Sequence, residues 1–574
     1  MKKQLIDNSK VDVGFTRRDI LRTGSAALGF GLFAGLGNSV FSKGVAGPVL
    51  TPFPVPRFVQ DLPMPVVKKP LAVGPAPFTP GDVYHGIAPE FYNRTLAEDP
   101  KTKYYETPAA VAPPLWYETF MKPSVVEIVP GVKTPIWGYD GLYPGPTYKT
   151  RVGQPIVLRY QNQLPEETSI HLHGGHNPSH SDGFPSFFVL PNKARDYYYA
   201  NTVPMEHGKP DMNESPSTMW YHSHVLDITD HQVNRGLAGF WLVYDDLEIS
   251  LINNRVLPND PYDVPIAIQD KRFNADGSIW FDPLDHDGYM GDVYVLNGKA
   301  FPKMNVERKK YRFRFLDACA ARFLELRLST GEPFLQIGND SWLLPQAISS
   351  NTLLMSPAKR ADVIIDFSNA PNEVFLENIL VQDSGRGPAG KYADRVTQVP
   401  GLPMMKFVVQ GPKQPSNASV TVGTPLRPHT PIQPSEVVGT RKFVFHRGQG
   451  AWQVNKGFYD PDRADATPTL GTAEKWILEN PGGGWWHPIH IHLESHTVIR
   501  VDGAKPRPEQ QFKSDVSILG AGSTVELLMK FRTFKGPFSF HCHNNAHEDM
   551  RMMQNLDPRV TPTQAGGKVQ QVFP

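Results

Sequence analysis

Ten of the chain's 19 histidines fall in four short windows, 171–173, 222–224, 487–492 and 541–547, which together span 19 positions. Even scattering over 574 residues would place about 0.6 there. Each window holds a His-x-His pair: His171/His173, His222/His224, His490/His492 and His541/His543. One such pair on a strand is ordinarily packed or solvated, but four together point to metal. The fourth window adds a thiolate donor, because Cys542 stands between His541 and His543. Side chains on a strand alternate, so the two histidines face one way and Cys542 the other. One tripeptide can then serve two metal sites joined by a short covalent path. His547 follows Cys542 by five residues, and Met552 follows His547 by five. With His487 these supply two imidazoles, a thiolate and a weak thioether, the ligand set of blue copper.

Setting His487 and His547 aside leaves eight imidazoles in four pairs. They suit three coppers carrying two, three and three, with open positions for oxygen species. Zinc needs only three or four ligands per ion and would leave most of these residues idle. It also has no redox chemistry to exploit the Cys542 bridge.

The elements that position these residues show an internal repeat. The first His-x-His pair precedes the second by 51 residues, and the third precedes the fourth by 51 again. Two units of one architecture, with ligands at matching places, give that spacing. Between them, residues 250–420 contain a single histidine, His286, yet keep a texture of short β-rich runs and Gly/Pro/Asn/Asp turns. Examples are 155–160 and 311–316, and such runs at close spacing indicate antiparallel sandwiches. The expected fold is all-β: three sandwiches over 115–246, 247–415 and 416–574, the outer two carrying the chemistry. Linkers are expected near Asp245-Asp246 and around 411–435. Residues 48–114 hold 15 prolines and read as a lead segment (47–114), either wrapped on a later domain or loose.

Composition excludes other classes. Lys+Arg is 58 against Asp+Glu 57, a net charge of +1, so no basic surplus advertises nucleic acid. Forty per cent hydrophobic residues can bury a core. The 56 prolines are about twice the usual share and argue against long helices. Two cysteines, Cys319 and Cys542, exclude a disulfide scaffold. At the start, Arg17-Arg18 precedes a soft apolar run from Gly24 to Phe41 with small residues at Gly44-Val45-Ala46. This is a twin-arginine export pattern over residues 1–46, predicting a folded passenger in the periplasm or outside the cell. The apolar run is too rich in glycine for a good membrane span, and no other stretch is long and apolar enough to span a bilayer.

The windows 487–492 and 541–547, with Met552, resemble the C-terminal signatures of multicopper oxidases. His171-Leu172-His173-Gly174 and Trp220-Tyr221-His222-Ser223-His224 resemble the N-terminal pair. The likeness spans roughly residues 57–560: the stretch 58–65 is similar to the lead segment of bacterial spore-coat laccases, and 484–488 and 547–549 are similar to bilirubin oxidases. The resemblance implies three cupredoxin-like Greek-key β-sandwich domains and four copper ions. Type 1 copper would take His487, Cys542, His547 and axial Met552. Type 2 would take His171 and His490. The type 3 pair would take His173, His222, His224, His492, His541 and His543. It further implies one-electron oxidation of phenols, aromatic amines or bilirubin-like pigments, coupled to four-electron reduction of O2 to water by a monomer. Its alternative is a metallo-oxidase for Cu(I), Mn(II) or Fe(II) in metal tolerance, against which stands the lack of a Met-rich tract.

By the same resemblance Asp182, in an Asp-Gly turn nine residues after His173, and Glu548, beside His547, are the carboxylates that handle protons. Trp485 could tune the type 1 site or simply fill core. His176, His180, His231 and His496 match no ligand position, and Cys319 reads as a buried free thiol. Met550 and Met553 flank Met552, so the axial role could belong to a neighbour.

Overall fold

The computed structural model describes residues 50–75 and 114–569. The export pattern, most of the segment 76–114 and the last five residues lie outside them. The described residues of Thr51–Phe281 and Asp285–Pro574 form one compact unit. Strands dominate, and the longest α-helix among the described residues, Asp246–Asn253, has 8 residues, in keeping with the proline content. No described helix is long and apolar enough to cross a membrane.

Six sheets of four or more strands follow one another along the chain. Strands between Leu115 and Tyr244 make two four-stranded sheets; those between Asp263 and Gln410 make one of seven and one of five. Strands from Val437 to Leu556 make one of six and one of four. Buried and half-buried residues alternate in Thr524–Lys530, turning one apolar face inward, whereas Ile170–His173, Thr218–Ser223, His487–Ile491 and Phe538–Cys542 are buried throughout. Three apolar cores result, centred on Tyr148 and Trp241, on Phe313 and Phe407, and on Trp476 and Phe540.

The repeat in sequence is a repeat in pairing. In the first sandwich Ile170–His173 lies antiparallel to Thr218–Ser223, with His171 opposite His222. In the third, His487–Ile491 lies antiparallel to Phe538–Cys542, with His490 opposite His541. Both strand pairs therefore aim their first histidines across the same kind of ladder.

The described part of the lead segment is extended and bonded to the body. Phe58 and Leu62 donate backbone N–H groups to Phe301 and Lys303 of the middle sandwich, each at 2.7 Å. Lys68 and Leu71 then reach Thr147 and Trp116 of the first, at 2.9 and 2.7 Å. A buried charge cluster of sandwich two also reaches sandwich one, where Arg314 donates to Ser217 Oγ at 3.0 Å and to Thr218 Oγ1 at 2.8 Å. Arg312 and Arg314 meet Glu248, Asp263 and Asp362, all nearly inaccessible. Removing one member of such a group would strand its partners without solvent or counter-charge.

Candidate metal centre

Eight imidazoles from two sandwiches converge at one buried place. Nε2 of His171 lies 3.2 Å from Nε2 of His490, and Nε2 of His541 lies 3.1 Å from that of His224 and 3.3 Å from that of His492. The His173 ring stacks on that of His490 at 3.6 Å, and His543 lies 5.1 Å from His222 and 5.3 Å from His173 between centroids. All eight are essentially inaccessible. Burial holds His171, His173, His224, His490, His492 and His543 well below the ordinary imidazole range, and His222 at about 3. These rings are neutral, and each carries a lone pair.

The second ring nitrogen decides which atom each ring offers. His171 donates from Nδ1 to the Asp182 carbonyl at 2.5 Å, His222 to the Ser223 carbonyl at 2.8 Å and His490 to the Asp515 carbonyl at 2.8 Å. His492 donates from Nδ1 to the Asp182 carboxylate at 2.6 Å. Each of these leaves Nε2 for a cation. His173 is turned the other way: its Nε2 meets the Asp515 carboxylate at 3.2 Å, leaving Nδ1 free. Among the described residues, Nδ1 of His173, Nε2 of His222 and both nitrogens of His543 are buried without a hydrogen-bond partner. Buried ring nitrogens left without a hydrogen-bond partner in this way fit a set of metal ligands.

Cys542 points to the other side of its strand, as alternation requires. Its Sγ lies 3.5 Å from Nδ1 of both His487 and His547, which are 3.2 Å apart. The centre of such a triangle is about 2 Å from each corner, a normal metal–ligand length. The thiol is pushed up by burial, so a bound cation must displace its proton. Met552 is wholly buried in the same core as Cys542, and its carbonyl accepts the Cys542 N–H at 3.0 Å. The Met550 sulfur instead meets the ring of His286. The donor set of soft sulfur and imidazole fits copper.

Three carboxylates brace the cluster. Asp182 is fully buried, and burial pushes its carboxyl well above the usual range. Glu548 lies 3.1 Å from Nδ1 of His541 and 3.6 Å from Nε2 of His224. Asp515 was not legible in the sequence, being a lone acid before a short strand. It is held by Arg360 of the middle sandwich through paired bonds of 2.8 and 2.5 Å. The approach is tight: Gly174 has φ +85°, and a Cβ there would stand 2.0 Å from Ser341 Oγ and 2.9 Å from Asp515 Oδ2.

The other singled-out residues lie around the centre. His176 bonds the Leu493 carbonyl at 3.2 Å, and His496 meets Ser517 Oγ at 2.8 Å. His180 meets Ser181 Oγ at 2.8 Å, and His231 faces Glu166 at 3.5 Å. Cys319 is a buried free thiol. Trp485 lines a cavity beside His487, whereas Trp486 is core, packed on Phe323. Trp452, which sequence reasoning missed, lies 4.0 Å from the ring of His547.

Residues 121–248 and 424–561 match two family profiles, each described as multicopper oxidase. A bilirubin oxidase of Albifimbria verrucaria is 35% identical over 462 residues, 78% of this chain and 77% of that protein. A laccase of Bacillus stratosphericus is 29% identical over 560 residues, 87% of this chain and 99% of its own. The crystal structure of a Pediococcus acidilactici laccase superposes with a TM-score of 0.71 at 24% identity, covering 88% of this chain and 95% of that one. The fold is cupredoxin-like, and the chain belongs to the multicopper oxidases. It is a laccase-like, copper-dependent oxidoreductase with O2 as acceptor.

Proposed function

We propose that this oxidase carries four coppers and draws electrons from phenolic or other aromatic reductants. His487, Cys542, His547 and Met552 would hold type 1 copper, and His171 and His490 type 2. His173, His222, His224, His492, His541 and His543 would hold the type 3 pair. When bound, these coppers supply one-electron acceptance at one end and four-electron reduction of O2 to water at the other. The observation that carries the choice of reductant is the cavity walled by Trp452 and Trp485, into which His487 opens.

The chain's own residues do the remaining work. Trp452 and Trp485, 5.2 Å apart and nearly perpendicular, offer flat apolar walls to a ring and exclude water from His487. The peptide around Cys542 runs directly into His541 and His543, a short covalent connection between the two groups of ligands. Asp182 Oδ2 fixes His492 Nδ1–H, while Oδ1 has no hydrogen-bond partner and can hold a proton. Glu548 is placed to exchange a proton beside His541 and His224.

The test is oxygen uptake by the copper-loaded protein with a methoxyphenol and with Cu(I) under matched conditions, using Cys542→Ser as blank. Faster uptake with the phenol is expected. Faster uptake with Cu(I) would replace this reading with a metallo-oxidase serving metal tolerance.

We further infer that the chain is exported folded by the twin-arginine machinery and works as a monomer in the periplasm or outside the cell. The support is the Arg17-Arg18 pattern. Replacing Arg17 and Arg18 by lysine should retain active protein in the cytoplasm, and light scattering of the exported form should give about the mass of one mature chain.

A further inference from the structure

The cavity beside His487 has a volume of about 610 Å3, and none of its lining residues is acidic. Two cations stand at it, Arg447 and Lys456. Neither makes an ion pair among the described residues, although the protein as a whole carries nearly equal numbers of both signs. Arg386, nearby, stacks 4.6 Å over Trp485 but is already bonded to Asp287 at 3.0 Å.

Local structure builds this arrangement. Strands Val437–Gly448 and Ala451–Val454 form a hairpin in which Arg447 lies opposite Trp452 and His446 opposite Gln453. Partners directly across a ladder share a face, so the guanidinium rides over the indoles, 5.7 Å from Trp452 and 5.8 Å from Trp485. The next turn carries Asn455 and Lys456 at φ +52° and +64°. Asn455 pins it by accepting the Val444 N–H at 2.8 Å and donating to the Lys442 carbonyl at 3.1 Å. On the far wall Gly483, at φ +88°, runs so close to Trp485 that a Cβ would meet its ring at 3.1 Å.

We propose that this cavity selects anionic aromatic reductants: planar phenols or aminoarenes that carry a carboxylate or sulfonate. The inference rests on the aromatic-reductant reading above and narrows it. The ring lies on the indoles near His487, and the anion meets Arg447, whose planar fork matches a carboxylate or sulfonate, and Lys456. A cationic donor would instead meet two unneutralised like charges. The anion is a spectator to the chemistry. Four phenols each lose one electron and one proton to become phenoxyl radicals, and one O2 takes up the four electrons and four protons as two waters.

The experiment uses the copper-loaded full chain and three donors with the same ring: 3-(4-hydroxy-3-methoxyphenyl)propionate, its methyl ester and the corresponding propylamine. Two methylenes or more insulate the ring, so the phenols are redox-matched. The acid should show a KM about tenfold below the ester, as one charge-assisted contact implies, and the amine the highest. Added salt should raise the KM of the acid alone. Arg447→Glu with Lys456→Glu should invert the order of acid and amine. Equal KM values for the three donors, or a preference for the amine in the unaltered protein, would overturn the proposal while leaving the oxidase reading intact. If none of the donors is oxidised, the aromatic-reductant reading falls. Charge selection is then decided by calorimetry with the redox-inert 3-phenylpropionate and 3-phenylpropylamine: tighter binding of the anion supports it, and equal or reversed affinity overturns it.

Discussion

Asp182 binds His492 across a sandwich boundary: its carboxylate, from the first sandwich, takes the Nδ1–H of a ring from the third at 2.6 Å. Its carbonyl does the same for His171 at 2.5 Å. One residue thus fixes the tautomer of two rings that reach the centre from opposite ends of the chain.

Asp182→Asn should therefore keep the visible absorption of the type 1 centre, which involves other residues, while slowing oxygen reduction. Losing a bracing carboxylate of this kind costs about 10–100-fold in activity or metal affinity. Stopped-flow reoxidation of the reduced enzyme at several pH values measures it. Turnover unchanged across pH would remove the proton role.

Arg360→Leu would leave the Asp515 carboxylate buried without its counter-charge. The expected loss is about 3–5 kcal/mol, seen as a lower guanidinium midpoint, together with reduced copper content. Arg360→Leu combined with Asp515→Asn should recover part of the stability, because the stranded charge is gone.

Cys542→Ser should abolish the blue colour and lower copper by one ion per chain in metal analysis. The eight paired histidines do not touch the substituted atom, so the remaining copper should stay. Full loss of copper would mean that the two groups of ligands assemble only together.

Acid should destabilise the fold from about pH 6.5 downward, through histidines that are buried neutral. Burial pushes His176 and His496 down to about 3 from an ordinary value of 6.5. Below about pH 6.5 the unfolded chain takes protons that the folded chain refuses, so stability held at neutral pH drains away as the pH falls toward 3. His496→Gln should flatten the acid slope of unfolding free energy by about 1.4 kcal/mol per pH unit. Guanidinium midpoints measured from pH 4 to 7 test this.

The residues that announce the centre do so because their pattern is local. His-x-His on a strand, Cys542 between two histidines and the twofold spacing of 51 are all visible within short windows. The all-β texture was legible for the same reason, since alternation and turn residues act over a few positions. Asp515, Arg360 and Trp452 were not, because their roles come from pairings that no local period encodes. Arg360 and Asp515 are 155 residues apart and meet only when two sandwiches pack. The middle sandwich, which has none of the eight histidines, nonetheless reaches the centre through that arginine.

The interleaving of ligands from both ends also sets a clock. His224 and His541 face each other at 3.1 Å but are 317 residues apart. At about 5–20 residues per second of synthesis, roughly 15–60 s pass between the two leaving the ribosome. A chain that stalls in that interval can fold its first sandwich yet never close the cluster. Retained copper thus marks a chain synthesised at least as far as its last ligands, a difference by which any proofreading step can separate such molecules from shorter fragments.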